Sequence, residues 1–499
     1  MSSASLVLIA LVLAVTVMGF LAARWGHADL KNLEEWALGG RRFGTIVTWF
    51  LLGGDVYTAY TFIAVPALVY GIGALGFFAL PLSPLAYIIV MLVMGRFYGL
   101  ARRRRYLTSA DFVRDRFGDR ALEIAIAMTG VVAMMPYIAL QLVGMKAVFQ
   151  QLGDAFTAYS GLPALTVAFA LLAGYTYTSG LRGPALIAFV KDTLIYLTVI
   201  TAIVVIPAKL GGWAHVFAVS ARTLAARPVP SSIYLAKPQY FTYATRVLGS
   251  ALILFLYPNL ITGVLAAKNK DVIRRNAVLL PAYALLLGLL ALLGYCAVAA
   301  GIATKDTSTV VPLLFARYFP DWFAGVADAA VVIGALVPGS IMCISAANLF
   351  ASNVFRQFSP ERDAVETIIT KRLTLGMCGF GLIFIFLIPV RYAIDFQLLG
   401  GCIMLQIFPA FALGLWTRWF HPKALLTGWA CGVVASCAMA YASNFTPDYA
   451  LVAFGTTFTG FIALYGLAIN LAVSVAGTVV LHALGRNPGI DCTTAADYA

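Results

Sequence analysis

Charged residues are scarce in this chain: they make up 11% of its 499 residues, whereas 62% are hydrophobic. Soluble domains carry roughly a quarter charged residues, so this composition excludes a soluble enzyme with a single anchor. Apolar stretches recur along the whole chain about every 20 to 35 residues, which suits helices that cross a hydrocarbon layer of about 30 Å. Alternating segments of about ten residues, typical of membrane β-barrels, are absent. The sequence therefore predicts an all-α polytopic membrane protein.

Residues that hold cofactors or act in catalysis are also few. The seven cysteines form no CxxC pair and the four histidines form no cluster, so neither a resident metal nor a disulfide framework is indicated. The chain contains no HExxH sequence, no nucleophile elbow and no phosphate-binding loop, which argues against a membrane enzyme and an ATP-driven pump. Because few residues follow the last apolar stretch, we expect a transporter rather than a sensor with a soluble signalling domain. We expect no enzymatic activity and no cofactor.

The basic residues predict the orientation of the chain. Thirteen candidate spans place six loops that contain lysine or arginine on one side of the membrane. Such loops stay in the cytoplasm, so we expect a plasma (bacterial inner) membrane protein with its N-terminus outside and its C-terminus inside. The net charge of +13 follows from these loops and does not indicate nucleic acid as a partner. The candidate spans are 4–24, 43–71, 74–100, 121–151, 160–180, 183–208, 243–267, 276–303, 323–355, 369–391, 394–417, 422–443 and 450–483.

The ten spans after the first form two sets of five. Because five is odd, the second set enters the membrane with the opposite topology, as in an inverted repeat. The first span lacks a basic segment before it and is interpreted as a retained helix rather than a signal peptide. The chain thus divides into an extra N-terminal span and loop, a first repeat, an outer loop, a second repeat, and two C-terminal spans with a tail. The predicted bounds are 1–42, 43–208, 209–242, 243–418 and 419–499.

Asp55 lies inside a long apolar stretch, directly after Gly53 and Gly54. A carboxylate at membrane depth costs several kcal/mol without a partner, so it marks a functional site. Paired glycines weaken a helix, and Pro258 interrupts the first span of the second repeat. Secondary transporters build ion and substrate sites at helix breaks in matching places of two repeats. We therefore predict a binding site between these two breaks.

Four stretches, in order along the chain, resemble the sodium:solute symporter family. They match the segments after its second and fourth core helices, the end of its sixth, and its tenth and eleventh. The stretches are residues 106–118, 177–183 with Asp192, 265–269, and 408–416 with Gly428. The resemblance covers nearly the whole chain and implies the amino-acid-transporter (LeuT-like) fold, with two inverted five-helix repeats. It also implies a secondary active symporter that binds a small solute near the bilayer midplane.

Residues 34–42, and 257–259 with 262–265, are most similar to the monocarboxylate permeases of that family. This similarity implies import of lactate, pyruvate or a similar organic anion. One position departs from the family pattern: members that use sodium have adjacent hydroxyl residues in the eighth core helix, where Val337 and Pro338 stand here. The coupling ion is therefore Na⁺ or H⁺. The alternative function is sodium-independent, proton-coupled transport of another small solute, such as an amino acid.

Ion or proton coupling is predicted for Asp55, Asp192 and Ser340; the alternatives are a helix cap for Asp55 and a local ion network for Asp192. Polar side chains predicted to bind substrate, or else to bond neighbouring helices, are Tyr57, Thr58, Thr61, Gln141, Tyr257, Asn259 and Gln397. Helix breaks are predicted at Gly53, Gly54, Pro258 and Pro338. Further lining or rim candidates are Tyr60, Lys146, Asp328, Ser345, Asp395, Phe396 and Gln406.

Overall fold

A computed structural model describes residues 2–25, 29–58, 60–150, 162–228, 231–358, 363–387 and 393–498. Helices dominate these residues. The α-helices are α1 Ser3–Leu21, α2 Leu33–Leu38, α3 Thr45–Val56, α4 Val65–Ile72, α5 Ala79–Arg104, α6 Ser109–Phe117, α7 Arg120–Phe149, α8 Leu162–Ser179, α9 Arg182–Lys209, α10 Trp213–Ala225, α11 Tyr240–Leu254, α12 Pro258–Leu265, α13 Lys270–Leu279, α14 Ala282–Ala299, α15 Val310–Tyr318, α16 Asp321–Asn353, α17 Asp363–Leu387, α18 Ala393–Met404, α19 Pro422–Ala442 and α20 Ile462–Ala483.

Nine helical segments of the described chain are long and apolar enough to cross a membrane. A tenth is the pair Lys237–Leu254 and Pro258–Leu265, which meet at an angle of 48°. Two shorter apolar helices, Thr45–Val56 and Gln397–Leu413, lie in segments predicted to span as well. The chain is thus a helical multi-pass membrane protein, while the total of thirteen spans stays a prediction.

Helices α16 and α7 form the centre of the bundle. The most apolar stretch of α16 is fully buried and that of α7 is 83% buried, whereas the corresponding stretches of α1 and α20 are 28% buried. A helix that is hydrophobic all round belongs in a core or against lipid. The sequence pattern alone does not separate these two cases, and burial assigns α7 and α16 to the protein interior.

A β-hairpin interrupts the helical chain before α20. Strand β1, Asp448–Ala453, pairs antiparallel with β2, Thr456–Phe461. Phe454 and Gly455 connect the strands with φ angles of 51° and 73°, as a tight hairpin turn requires. The predicted span 450–483 was therefore wrong at its start, because its first twelve residues form this hairpin and its loop and the helix begins at Ile462.

The chain after α20 lies against the loop that follows α5. Arg104 pairs with Asp497 at 2.7 Å, and Arg116 pairs with Asp491 at 2.9 Å. Helix α6 begins in a capping box in which the Thr108 side chain accepts from the Asp111 backbone N–H, while the Asp111 carboxylate accepts in return. The two ion pairs, to the end of α5 and to α6, hold the C-terminal tail on the face that the charge pattern predicts to be cytoplasmic.

Candidate functional site

The two predicted helix breaks meet in the structure. Helix α3 ends at Val56 and the chain resumes in a π-helical turn, Tyr60–Ala64, before α4. Across from it, α11 and α12 bend by 48° just before Pro258. The Asn259 amide nitrogen donates to Asp55 Oδ2 over 2.8 Å, and both side chains are buried. Asp55 Oδ1 and Asn259 Oδ1 are also buried, without hydrogen-bond partners in the described part of the chain.

Unpaired buried oxygens are rare, so these two call for a donor or a cation. An ionised carboxylate only accepts hydrogen bonds, whereas a protonated one also donates. A proton on Asp55 or a small cation beside it would provide the partner that this carboxylate lacks. The junction of the two breaks is thus chemically suited to take up a positive charge.

The glycines before Asp55 are not at the break. Both lie inside α3, which continues to Val56, so the prediction of a break at Gly53 and Gly54 was wrong by two residues or more. Their function is close packing instead. A Cβ on Gly53 would lie 2.4 Å from the Tyr283 ring, and one on Gly54 would lie 3.3 Å from Lys191 Nζ.

Lys191 connects α9 to the first helix break. Its side chain is fully buried, and its ammonium donates to the carbonyl oxygens of Gly54 at 2.9 Å and Tyr57 at 3.0 Å. A third contact, at 2.7 Å, joins it to Asp192 Oδ1. The other Asp192 oxygen accepts from the Tyr283 hydroxyl over 2.7 Å. The structure thus places Asp192 beside the first break, paired with its neighbour in sequence.

A cavity lies beside the junction and touches both breaks. Three side chains place a buried oxygen there without a hydrogen-bond partner among the described residues: Ser250, Tyr257 and Gln397. Thr61 also lines the cavity, although its hydroxyl donates to the Val56 carbonyl over 2.8 Å. The described residues that line the cavity are Val56, Thr61, Ala79, Leu82, Ser83, Tyr137, Ser250, Ile253, Leu254, Tyr257, Leu287, Gln397, Leu398, Gly401 and Phe461. None of these lining residues is charged, so the cavity suits a small, mostly apolar solute with a few polar atoms.

Three other predicted substrate ligands point elsewhere. The Tyr57 hydroxyl donates to the Tyr283 carbonyl, and the two rings pack with centroids 4.7 Å apart. Gln141 is fully buried and donates to the Tyr137 carbonyl over 3.1 Å. Thr58 is buried at the break but is not among the described residues that line the cavity. Tyr57 thus joins the first break to α14, whereas Gln141 bonds within α7 and lies 4.0 Å from Met342 Sδ of α16.

Helix α16 contributes less than predicted. It runs through Pro338 without interruption, so the prediction of a break there was wrong; membrane helices tolerate proline when neighbours satisfy the freed backbone groups. The Ser340 hydroxyl lies 2.7 Å from the Tyr175 hydroxyl and 3.0 Å from that of Thr176, and it donates to the Leu336 carbonyl over 3.0 Å. Ser340 is therefore bonded to α8 and to its own helix.

The remaining candidates are scattered. Ser345 donates to Thr262 over 2.9 Å, and Gln406 donates to the Cys402 carbonyl over 2.9 Å. Among the described residues, Lys146, Asp328 and Asp395 make no hydrogen bond or ion pair with Asp55 or Asn259. The side chains of Tyr60 and Phe396 lie outside the described residues.

A backbone bridge joins the two broken helices at the face predicted to be cytoplasmic. Phe43, just before α3, donates its N–H to the Ala266 carbonyl at 3.2 Å, and Lys268 donates to the Phe43 carbonyl at 2.8 Å. The Tyr98 hydroxyl donates to the Ala267 carbonyl at 2.8 Å. The cavity lies on the other side of the junction, where Phe461 of the hairpin contributes to its lining.

Sequence reasoning missed Lys191, Tyr283 and Ser250 as site residues. A lysine adjacent to an aspartate inside an apolar helix is a recognisable signal of an intramembrane ion pair, and residues 191 and 192 carry it. No comparable signal exists for Tyr283 or Ser250, because tyrosine and serine are common in membrane helices.

Comparison with known proteins gives consistent matches. The model of the sodium:solute symporter family matches residues 36–412. The "monocarboxylate transport permease protein" of Rhizobium johnstonii is 48% identical over 94% of this chain and 95% of its own. The uncharacterized symporter YodF of Bacillus subtilis is 32% identical over 98% of this chain and 96% of its own. Among solved structures, a Na⁺-coupled sialic acid symporter in a substrate-bound outward-open state superimposes with a TM-score of 0.77 at 14% identity, covering 96% of this chain and 98% of that one.

Proposed function

We propose that this chain, which belongs to the sodium:solute symporter family, imports a small monocarboxylate such as lactate or pyruvate together with a cation. The observation that carries the proposal is the uncharged, largely apolar cavity beside the Asp55–Asn259 junction. Three of its side chains, Ser250, Tyr257 and Gln397, each have a buried oxygen without a hydrogen-bond partner among the described residues. The 48% identity to a monocarboxylate transport permease supports this substrate class. Transport changes no covalent bond of the substrate.

Neutral donors bind the substrate's carboxylate in this proposal. The hydroxyls of Tyr257 and Ser250 donate to it, and the amide nitrogen of Gln397, a residue of the same cavity lining, supplies a third donor. Helix α12 begins at Pro258 beside them, and the backbone N–H groups of a first helical turn have no partner within the helix. The positive end of the helix dipole also favours an anion there. The apolar lining then surrounds the substrate's short carbon chain.

Coupling follows from the position of Asp55 between the two breaks. Its unpartnered oxygen faces the junction, and its other oxygen accepts from Asn259 on the opposite broken helix. A positive charge taken up at Asp55 changes a contact that both broken helices share. We therefore assign coupling to Asp55, with Asp192 acting through Lys191. We assign substrate contact to Thr61, Ser250, Tyr257, Asn259 and Gln397.

The transport cycle is alternating access in the predicted orientation, with the N-terminus outside and the C-terminus in the cytoplasm. Substrate enters from the hairpin side of the junction. Opening to the cytoplasm then requires separation of the backbone bridge between Phe43 and Ala267. The two five-helix repeats, 43–208 and 243–418, are the units that we propose move against each other.

Uptake into proteoliposomes tests this function. The purified full-length chain is reconstituted, and labelled lactate, pyruvate and alanine are offered with an inward sodium gradient or an inward proton gradient imposed separately. We expect accumulation of lactate and pyruvate above the external concentration, with unlabelled monocarboxylates competing and lactamide, which lacks the charge, failing to compete. Accumulation also excludes a channel.

Tyr257→Phe serves as the site variant because it removes one hydroxyl and keeps the ring. Loss of a hydrogen bond to a charged group costs about 1.5–3 kcal/mol, so we expect an apparent affinity weaker by about tenfold or more. Tyr234→Phe is the matched control, since Tyr234 is 76% exposed and far from the cavity lining. Uptake of alanine but not of lactate or pyruvate would replace the substrate class with amino acids; no uptake of any of the three would refute the proposal.

A further inference from the structure

Three carbonyl or carboxylate oxygens at the first helix break surround one buried ammonium group. Lys191 Nζ lies 2.9 Å from the Gly54 carbonyl, 3.0 Å from the Tyr57 carbonyl and 2.7 Å from Asp192 Oδ1. A charged lysine has three N–H donors and no acceptor. The two carbonyl contacts are hydrogen bonds and the carboxylate contact is an ion pair, so all three oxygens lie close to one ammonium group.

The two carbonyls belong to the C-terminal end of α3, which ends at Val56. The last carbonyls of a helix have no partner within it and carry the negative end of its dipole. In broken transporter helices, such half-helix ends and unwound carbonyls are the groups that coordinate a transported cation. In this chain, a lysine of α9 already occupies them.

The positions that the family resemblance assigns to sodium ligands on α16 offer no free side-chain oxygen. Val337 and Pro338 stand there in this chain, and neither side chain has an oxygen. The nearby Ser340 hydroxyl is bonded to Tyr175, Thr176 and Leu336. Gly54 completes the fit, because a Cβ there would approach Lys191 Nζ to 3.3 Å.

We propose that the ammonium group of Lys191 is a resident cation. It occupies the cation seat of the first helix break, which is formed by the Gly54 and Tyr57 carbonyls and the Asp192 carboxylate, so that the transport cycle needs no sodium ion. The part of this inference that concerns the transport cycle rests on the proposed function. The occupation of the seat by Lys191 does not, because it is a property of the folded chain. It makes Lys191 a residue that determines ion specificity. It also assigns the paired glycines their place: Gly53 admits Tyr283, which bonds Asp192, and Gly54 admits Lys191.

The test measures sodium binding without substrate. Purified full-length protein in lipid nanodiscs is unfolded by heat in sodium, potassium or choline chloride at equal ionic strength. The wild-type midpoint is expected to be the same in all three salts. Lys191→Ala vacates the seat and leaves two carbonyls and the Asp192 carboxylate facing it, so sodium is expected to raise the midpoint of this variant in a saturable manner and more than potassium does.

Three variants control this result. Lys191→Met fills the seat with an uncharged side chain and is expected to give no sodium response. Lys191→Ala combined with Asp192→Asn removes the carboxylate and is expected to lose the response. Lys209→Ala, in the same helix, removes an exposed lysine that donates to the Tyr318 carbonyl and is expected to behave like wild type.

A wild-type midpoint that rises specifically with sodium refutes the proposal, whatever the variants do. A folded Lys191→Ala protein without any sodium response refutes it too, because the carbonyls would then not form a cation seat. If lactate and pyruvate are not transported under any gradient, the substrate assignment fails while these thermal results still decide the role of Lys191. Uptake by the wild type that proceeds equally with choline or sodium outside completes the support.

Discussion

Gly53→Ala is expected to damage this protein, and the reason is steric. The added Cβ would lie 2.4 Å from Tyr283 Cζ and 2.6 Å from its hydroxyl oxygen. The Tyr283 ring has little freedom to move, because it packs against Trp49 and Tyr57 with centroids 4.6 and 4.7 Å away. Its hydroxyl also donates to Asp192 over 2.7 Å. A shift of the ring therefore weakens the ion pair behind it.

The magnitude is a balance of three effects. Overpacking in a filled core costs about 1–3 kcal/mol, and a weakened hydrogen bond to a charged group adds about 1.5–3 kcal/mol. Alanine is favoured over glycine inside a helix by about 1 kcal/mol, and Gly53 is inside α3. We expect the free energy of unfolding to fall by about 2–4 kcal/mol.

Gly54→Ala is the matched control because it changes the adjacent residue of the same helix. Its Cβ would meet Lys191 Nζ at 3.3 Å, a contact that a flexible side chain can relieve. The helix propensity gain of about 1 kcal/mol offsets most of this cost, so we expect little change in stability. Denaturant unfolding in detergent micelles and initial uptake rates would be compared for both variants. Equal effects at the two positions, or a neutral Gly53→Ala, would mean that backbone freedom rather than packing explains the glycine pair.

Three further predictions concern charged groups. Lys191→Met leaves the buried Asp192 carboxylate without its cation and should lower the free energy of unfolding by about 3–5 kcal/mol. Adding Asp192→Asn should restore part of the lost stability. A double variant no more stable than Lys191→Met would argue against charge as the cause. Asp55→Asn, which takes up no proton, should retain exchange of labelled for unlabelled substrate but lose gradient-driven accumulation in proteoliposomes, whereas retained accumulation would remove Asp55 from coupling. The hydrogen bond from Arg104 holds the pKa of Asp497 well below its usual range, so tail attachment should be complete above the ordinary carboxyl pKa of about 4 and be lost only far below it. Carboxypeptidase should therefore trim the tail of Asp497→Asn but spare the wild type between about pH 5 and 8. Trimming of the wild type in that pH range would contradict a tail held by the ionised Asp497 carboxylate.

The helical architecture could be predicted because the length of an apolar stretch can be read directly from the residue types along the chain. The proximity of the two helix breaks could also be predicted, since Asp55 and Pro258 occupy matching positions in the two predicted repeats. The hairpin was not, because β1 and β2 are apolar and aromatic enough to pass as the start of α20. Its signal was Phe454-Gly455 between threonine- and valine-containing runs, which a hydropathy window averages away.

The helix breaks show a different limit. Gly53, Gly54 and Pro338 are residues that weaken helices, yet α3 and α16 continue through them. Tertiary packing decides whether such a residue breaks its helix. The glycines leave space for the side chains of Tyr283 and Lys191, and the proline lies in the buried stretch of α16. A residue type alone indicates that a break is permitted, not that one is present.

The charged groups around the first break determine which charge the proposed coupling step has to neutralise. Asp192 and Lys191 neutralise each other at 2.7 Å, whereas Asp55 has only an uncharged partner, the amide of Asn259. A substrate carboxylate in the adjacent cavity adds a second negative charge near Asp55. Since an uncompensated buried charge costs several kcal/mol, the proposed cycle expects closure over the substrate only when Asp55 has been neutralised. If Lys191 occupies the carbonyl seat as proposed, we expect a proton on Asp55 to provide this neutralisation, because it needs no further ligand. In that case the anion would enter together with one positive charge.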